Sequence, residues 1–297
     1  MALPTVSEAF VTQYDDQVHI TYQRQGAKLV GTTRKKPGVV GQIVTFQRIT
    51  TEAEAEEKSR HGDIPVQELT HSPTTLTIKN YYAAFYADED DLDKLNIDER
   101  MALSQSGAWC IGRKHDSLLI SAMDTTTKYV GVYASNVMTI AIALGAFDKL
   151  NSYDVPDDGN RFAAISPHAY AELMCYQQFA NADWIGGDGL PWKSGLKFKD
   201  WMGVRWLPHS GLPLTGDDRT NFMWHKSAVG WGENKEISSR IEWDVRKDAW
   251  LIKHKIAGAA ALIDEKGVCE MRCDDDTEIT TETEKMVVRP CAMIGGR

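Results

Sequence analysis

The sequence ISSRIEWDV at residues 237–245, followed after a short polar break by WLIKHKI at residues 250–256, decides the fold class of this chain. Alternation of apolar and polar residues is typical of a β-strand with one face toward a core. In the first run the residues that can face that core are Ile237, Ser239, Ile241, Trp243 and Val245. In the second run they are Trp250, Ile252, His254 and Ile256. Together the two runs predict an antiparallel hairpin of two half-buried strands.

Further strand signals follow this hairpin. A run of small residues at 258–261 permits close approach of neighbouring backbones, and a turn signal comes next at 264–267. Residues 268–271 predict a last short strand. The stretch 222–271 therefore predicts a sheet, and it contains no motif typical of a catalytic site.

The composition is that of a globular protein. Of the 297 residues, 42% are hydrophobic and 25% are charged, which is enough for one large or two smaller cores. The net charge of -9 argues against a protein that binds nucleic acid through its surface as a whole.

Cysteine usage and hydropathy bear on the compartment. Five scattered cysteines and the lack of a signal peptide predict a reducing compartment, the cytoplasm in which the chain is made. The longest apolar run, residues 137–147, is too short to span a bilayer and predicts a buried helix. We therefore expect no membrane association.

Charge is distributed unevenly along the chain. Residues 24–48 contain six basic side chains and no carboxylate, and residues 274–284 contain six acidic side chains and no basic one. Each run is typical of a solvated face or a flexible end.

The first ninety residues predict an arm and a hairpin. Thr5 and Glu8 have capping-box spacing and predict a short N-terminal helix with one aromatic stripe. Residues 26–41 are basic and glycine-rich and predict an extended arm. Residues 42–49 and 75–87 predict two strands, and the polar residues between them predict the tip of a long hairpin.

Helices dominate the next ninety residues. The acidic residues 88–91 favour the start of a helix that continues to about Met123, roughly 45 Å for about thirty residues. A second helix is predicted over 135–151. A strand at 161–165 then leads into Ser166 and Pro167, which are typical of a helix start, and that helix is predicted to reach about Phe179. Eight of the nine tryptophans lie between residues 184 and 250 and indicate packing or a subunit interface.

The sequence offers no convincing chemistry. Cys269 and Cys273 have poor zinc-ligand spacing, and the glycines at 186–189 lack the flanking strand and helix of a phosphate cradle. His115, Asp116 and Ser117 are neighbours on a helix, so their side chains point in different directions and cannot form a local triad. We predict no catalytic, cofactor-binding or metal-binding residues. A site assembled from distant residues stays open as an alternative.

Two phrases near the middle of the chain resemble one family. Residues 150–156, LNSYDVP, are followed by Arg161 and by AISP at residues 164–167. This order resembles the helix, turn, strand and helix of the axial domain in tailed-bacteriophage major capsid proteins of the Hong Kong 97-type fold.

The sheet region carries the same resemblance. Residues 222–230, FMWHKSAVG, resemble the family's strand in which a His-Lys or similar pair precedes Ala-Val-Gly. Residues 241–244, Trp250 and the small residues 258–260 resemble its closing hairpin. The resemblance covers most of residues 1–273 and lies in the order of these phrases.

The resemblance implies an α+β fold of the Hong Kong 97 type with peripheral and axial domains. The implied segments are an N-terminal arm at 1–27, an extended β-hairpin loop at 28–90, a peripheral domain with a long spine helix at 91–134, an axial domain at 135–240, return strands of the peripheral domain at 241–273 and a C-terminal tail at 274–297.

The resemblance also implies a function and partners. Such a chain assembles as hexamers and pentamers into the icosahedral head of a double-stranded DNA phage, forms in the bacterial cytoplasm and ends in the virion. Portal, scaffolding and decoration proteins are implied partners, and packaged DNA is enclosed non-specifically. The candidates for inter-subunit contact are Arg34, Lys35, Lys36, Phe46, Arg48, Glu54, Glu56, Glu57, Asp88 and Asp91.

Two departures and two alternatives accompany the resemblance. The chain lacks the long helical N-terminal extension of some members, so we expect a separate scaffolding protein or none. We can match neither partner of the Lys–Asn cross-link that some members form. The alternatives are an encapsulin-like nanocompartment shell and, from another class, a metabolic α/β enzyme with a site assembled from distant residues.

Overall fold

The computed structural model describes residues 23–24, 26–50, 52–89, 99–132, 137–176, 179, 199–276 and 279. The predicted N-terminal helix, the glycines at 186–189 and most of the acidic tail lie outside these residues. The described helices are α1 (Glu99–Met123), α2 (Ile140–Ser152) and α3 (Pro167–Met174). The described strands are β1 (Arg34–Lys36), β2 (Ile43–Ile49), β3 (His71–Thr77), β4 (Lys79–Asp88), β5 (Tyr129–Val130), β6 (Arg161–Ile165), β7 (Lys199–Trp201), β8 (Val204–Pro208), β9 (Leu214–Thr215), β10 (Asp218–His225), β11 (Val229–Asp244), β12 (Ala249–Leu262) and β13 (Val268–Asp274).

The predicted hairpin is the centre of a four-stranded sheet with the order β1-β11-β12-β4. Strands β11 and β12 pair antiparallel from Val229 opposite Leu262 to Asp244 opposite Ala249, which confirms the hairpin prediction. Strand β4 pairs with β12 along its whole length. The small-residue run lies inside β12, where a Cβ at Gly258 would come within 2.3 Å of the Trp231 indole. Glycine is needed there because the Trp231 ring covers the backbone.

Helix α1 lies across this sheet. Ile252, His254 and Ile256 are buried on one face of β12, as their alternation predicts. The His254 imidazole lies directly beneath Gly107 of the helix, since a Cβ at that position would be 2.3 Å from His254 Cδ2. Its Nδ1 is 2.7 Å from Ser239 Oγ, and burial lowers the pKa of the imidazole, so the ring is neutral at pH 7.

A second sheet has the order β5-β13-β10-β6-β8-β7, with β9 paired to the start of β10. Helices α2 and α3 pack against it, and their buried residues form a core separate from that beneath α1. Strand β6 is buried at all five positions. Trp206 is buried in this core, and its ring lies 6.1 Å from that of Phe179. No helix in the described part of the chain has the length and apolar character needed to cross a membrane.

Several predicted helix ends are confirmed and two are wrong. Helix α1 ends at Met123 and α3 begins at Pro167 after the N-cap Ser166, as expected. Helix α2 begins at Ile140 instead of residue 135, because the Thr139 hydroxyl accepts the backbone N–H of Ile142 and caps the helix there. Helix α3 ends at Met174 instead of near Phe179, because the next backbone N–H groups bond three residues back and tighten the turn.

The predicted strand at 75–87 is two strands. Strand β3 pairs with β2 to form the expected hairpin, whereas β4 leaves it and pairs with β12. The break is at Ile78, whose backbone N–H donates to the Gln42 carbonyl at 2.8 Å. One continuous run of branched and aromatic residues therefore contributes one strand to each of two sheets.

The outer half of β11 differs most from prediction. Ile237 and Ile241 are 47% and 53% exposed, and Val245, in the turn just after the strand, is 82% exposed, so the expectation that they face a core is wrong for the single subunit. Ile241 lies opposite the buried Ile252 and therefore on the same side of the sheet. Helix α1 covers this side over β12 and leaves it open over the outer part of β11.

The packing at Gly107 can be tested by substitution. Gly→Ala in a helix normally stabilises by about 1 kcal/mol. Here the added methyl group would overlap His254, so we expect Gly107→Ala to lower the free energy of unfolding by about 1–3 kcal/mol, measured by urea denaturation of unassembled subunit. Gln105→Ala, at an exposed position on the same helix, should change it by no more than about 0.5 kcal/mol. Stabilisation by Gly107→Ala would contradict this packing, as would failure of a second substitution, His254→Ala, to recover part of the loss.

Candidate inter-subunit surface

Strand β1 presents the basic part of the arm. Arg34, Lys35 and Lys36 are all exposed, and β1 pairs in parallel with Gly230–Gly232 of β11. Beside it lies a cleft of about 330 Å³, lined by these three residues and by residues 45–47 of β2. The Arg34 guanidinium lies 5.8 Å from the Phe46 ring centre, and Lys36 Nζ donates to the Thr45 carbonyl at 3.3 Å. The strand is therefore a cationic edge held in an extended conformation.

Phe46 and Arg48 fix the base of the β2–β3 hairpin. Phe46 is buried in a small core with Val44, Leu76 and Ile263. The Arg48 guanidinium donates to the Ile263 carbonyl at 3.2 Å and lies 3.4 Å from an Asp264 carboxylate oxygen. Both side chains therefore bind the hairpin to the body of their own subunit.

The acidic candidates lie farther along the hairpin. Glu54, Glu56 and Glu57 are exposed. Gln67 Nε2 donates to the Glu54 carbonyl and to Glu56 Oε1, the latter at 3.2 Å, and these bonds join the two sides of the hairpin tip. All three carboxylates are accessible to another molecule.

One remaining candidate, Asp88, lies at the opposite sheet edge. Asp88 is exposed at the end of β4, where it lies opposite Ala249. Asp91 lies outside the described residues. Asp88 therefore lies on β4 at one edge of the first sheet, and the basic strand β1 forms the opposite edge beside β11.

A buried carboxylate that the sequence did not reveal holds the arm in place. Asp116 of α1 is fully buried and accepts the backbone N–H groups of Lys28 at 3.0 Å and Leu29 at 3.2 Å. His209 Nε2, beyond the end of β8, lies 3.4 Å away. Burial opposes ionisation, but the nearby His115 ring, whose Nδ1 lies 3.6 Å from Asp116 Oδ1, and the hydrogen bonds from His209 and the two amides outweigh it and hold the pKa of Asp116 well below its usual range. One carboxylate thus joins the arm, α1 and the loop after β8.

The same region shows a close crossing of backbones. The Ala27 N–H donates to the Gly112 carbonyl at 3.1 Å, and a Cβ on Gly112 would lie 2.9 Å from the Gly26 carbonyl carbon. One sequence signal could have revealed the hydrogen bonds between Asp116 and the arm. It is an acidic residue on the buried side of a helix, because such a carboxylate needs hydrogen-bond donors from elsewhere.

Metal-ligating groups do not gather in the described part of the chain, where no three His, Cys, Asp or Glu side chains are placed to hold an ion. Cys269 and Cys273 are both buried in β13. Burial raises the pKa of each thiol to about 12, so both are protonated at neutral pH and are poor metal ligands.

Comparison of the sequence with protein-family models identifies the family of this chain. The model described as phage capsid protein matches residues 6–275. The chain therefore belongs to the phage capsid protein family, which confirms the prediction of a phage major capsid protein located in the virion shell. Among curated proteins, none matches the sequence.

Solved structures show the same fold. A chain of Mycobacterium phage Che8 is 14% identical, with a TM-score of 0.72 over 90% of this chain and 98% of its own. The capsid of the cyanophage P-SCSP1u is 13% identical, with a TM-score of 0.72 over 92% of this chain and 96% of its own. The capsid of the cyanophage Pam1 is 12% identical, with a TM-score of 0.70 over 93% of this chain and all of its own. The predicted α+β class is confirmed, and the fold is that of phage capsid proteins.

Removal of the Asp116 carboxylate should be costly. Asp116→Ala removes the acceptor of the Leu29 N–H, which is buried, and of the Lys28 N–H, which is partly buried. An unsatisfied buried donor costs about 1–3 kcal/mol, so urea denaturation should show a loss in that range or larger. Because the pKa of Asp116 is lowered in the folded state, its contribution is present above about pH 4 and is lost as pH falls toward the lower folded value. The difference between parent and variant should therefore shrink in acid.

The matched control is an exposed carboxylate. Asp200 lies 3.2 Å from Arg205 at the surface, and Asp200→Ala should change the free energy of unfolding by less than about 1 kcal/mol. Equal stability of the Asp116→Ala and Asp200→Ala variants at neutral pH would contradict the role given to Asp116.

Proposed function

We propose that this phage capsid protein builds the head of a tailed double-stranded DNA phage as hexamers and pentamers, and that its chain divides as the resemblance implies. The arm is 1–27, the extended loop 28–90, the peripheral domain with its spine helix 91–134, the axial domain 135–240, the return strands 241–273 and the tail 274–297. Helices α2 and α3 pack on the second sheet and α1 packs on the first, which supports this division. The core beneath α1 also includes Phe222 and Trp224 of the second sheet and joins the two parts. Because residues 229–240 pair with β12 in the first sheet, we propose one change to this division, an axial domain that ends near Val229 instead of residue 240.

The observation that carries this proposal is the two-stranded hairpin β2–β3. Two strands alone bury little surface and are marginally stable in water. Only the base of this hairpin is packed, through Phe46 and its neighbours, while residues 52–61 are all exposed. Contact with a neighbouring subunit would bury the remainder and supply the stability that the hairpin lacks within one subunit.

The contact candidates take complementary roles in this proposal. Arg34, Lys35 and Lys36 form a basic edge that meets the acidic hairpin tip of a neighbour, with Glu54, Glu56 and Glu57 as its partners. Asp88 and Asp91 form a second acidic group at another contact. Phe46 and Arg48 act indirectly, because they fix the angle at which the hairpin leaves its subunit.

The proposed shell implies further binding partners. Portal, scaffolding and decoration proteins would contact it, and packaged DNA would be enclosed without sequence-specific binding, in keeping with the net charge of -9. We infer no catalytic role. Membership of the phage capsid family disfavours both a metabolic enzyme and an encapsulin-like shell, and the latter would differ in packaging protein cargo instead of DNA.

Assembly of purified protein tests the proposed function. We expect large closed particles by negative-stain electron microscopy and sedimentation, with a scaffolding protein present if one is required. A compact monomer under every assembly condition would count against the proposal.

Charge reversal tests the proposed contact. Replacement of Arg34, Lys35 and Lys36 by Glu should reduce particle yield at least tenfold, because like charges would then face each other at every contact. Replacement of Glu54, Glu56 and Glu57 by Lys should have the same effect. The chain that carries both sets of changes should recover assembly, and high salt should weaken the parent's assembly. Unchanged yield for the first variant would remove the role of the basic edge.

A further inference from the structure

The outer edge of β11 has backbone groups that no strand in the described part of the chain receives. Strand β1 covers only Gly230–Gly232, and beyond it Val39 donates its N–H to the Glu233 carbonyl. A bulge follows, and from Ser238 to Asp244 the pairing with β12 is regular. No described strand lies on the other side of these seven residues. Their outer edge is straight, regular and open to pairing.

The side chains along this edge are also unusual for a free surface. Ile241 continues a row that is buried on the inner strand, where Ile252 lies opposite it, yet Ile241 itself is 53% exposed. Ile237 and Val245 are exposed on either side of it. Proteins normally protect such an edge with proline, lysine or a bulge, and the bulge here stops before Ser238.

The sequence of the edge identifies its partner, because it is complementary to itself. Along a strand, the backbone N–H and C=O groups of alternate residues point to opposite edges. When two copies pair antiparallel about a two-fold axis, residues whose backbone groups point toward the partner strand must face residues of the same kind. The axis therefore passes beside one residue that faces its own copy. With Ile241 at that position, Ile241 faces Ile241 and Arg240 faces Glu242, and the outer pairs are Ser239 with Trp243 and Ser238 with Asp244.

The neighbouring registers are worse. With the axis at Arg240 two arginines face each other, and with the axis at Glu242 two glutamates do. Like charges directly opposite destabilise a sheet. The Glu242 register also sets Arg240 opposite Asp244, but only the Ile241 register of the three combines two opposite-charge pairs with no like-charge pair. Glu242 already lies 2.6 Å from Lys253 in its own subunit. The arginine of a second copy would add to this existing charge pair.

We propose that residues Ser238–Asp244 of β11 form an antiparallel sheet pair with the same residues of a second copy of this chain, across a two-fold axis at Ile241. The inference rests on the proposed shell, in which such a pair joins subunits of adjacent capsomers. Seven residues bury too little surface for a stable dimer alone, so the pair forms in the assembled shell, where many contacts act together.

Cysteine cross-linking in assembled particles tests the pair and its register. Directly opposite Cα atoms in an antiparallel pair are about 4.5–5.5 Å apart, within disulfide range. Ile241→Cys should therefore give disulfide-linked dimers on mild oxidation of particles, above the background of the parent chain's own cysteines. Arg240→Cys alone and Glu242→Cys alone should give at most a small fraction of that yield, because each would face its own copy diagonally at about 7–8 Å. Particles assembled from a mixture of these two variants should cross-link.

The outcomes separate this inference from the proposed function. Closed particles of Ile241→Cys without cross-linked dimers would overturn the β11 pair and leave the shell intact. Efficient cross-linking of Arg240→Cys with itself would overturn the register. If the parent chain forms no particles, the proposed function fails, and the pair fails with it.

Discussion

The packing of helix α1 across β12 is the constraint on which the rest of the structure depends. The helix can approach the sheet closely because Gly107 leaves room for the His254 ring. Farther along, α1 contributes Ile111, Leu119 and Met123 to the core beneath it, which also contains Trp224 of the second sheet. The same helix holds the arm through Asp116 and the loop after β8 through His209. One helix therefore joins both sheets and the arm into a single body.

Several extended elements project from that body with their contacts incomplete. The β2–β3 hairpin is packed only at its base, β1 is a fully exposed basic strand, and β11 continues beyond the helix that covers its neighbour. A subunit with these features is poorly suited to act alone. Each feature becomes understandable when the surface that completes it belongs to another copy of the same chain, as in a shell. The features that bear on assembly are the shape and the charge of the subunit. The described residues hold no metal-ligating cluster.

The elements that could be predicted from the sequence are those that local interactions determine. Ser166 and Pro167 define a helix start through hydrogen bonds within a few residues, and alternation with a polar break defines the β11–β12 hairpin. The sequence did not predict which strand a continuous apolar run would pair with, so β3 and β4 were expected as one strand. The contact of Asp116 with the arm could not be predicted because its donors are nearly ninety residues away in the sequence.

The exposure of Ile241 illustrates another limit. Alternation correctly indicates a strand with an apolar side, but it cannot say whether that side is covered by the same chain or by another. For β12 the cover is α1, and for the outer part of β11 the described chain provides none. A prediction that looked wrong for one subunit is thus compatible with burial in an assembly.

The most direct test of this account is a cryo-electron microscopy map of the assembled particle at a resolution that traces the chain. The account predicts a closed icosahedral shell in which α1 and both sheets keep the arrangement described above. It also predicts that the exposed part of the β2–β3 hairpin lies on a neighbouring subunit. A shell in which that hairpin contacts only its own subunit, or in which α1 separates from β12, would contradict it.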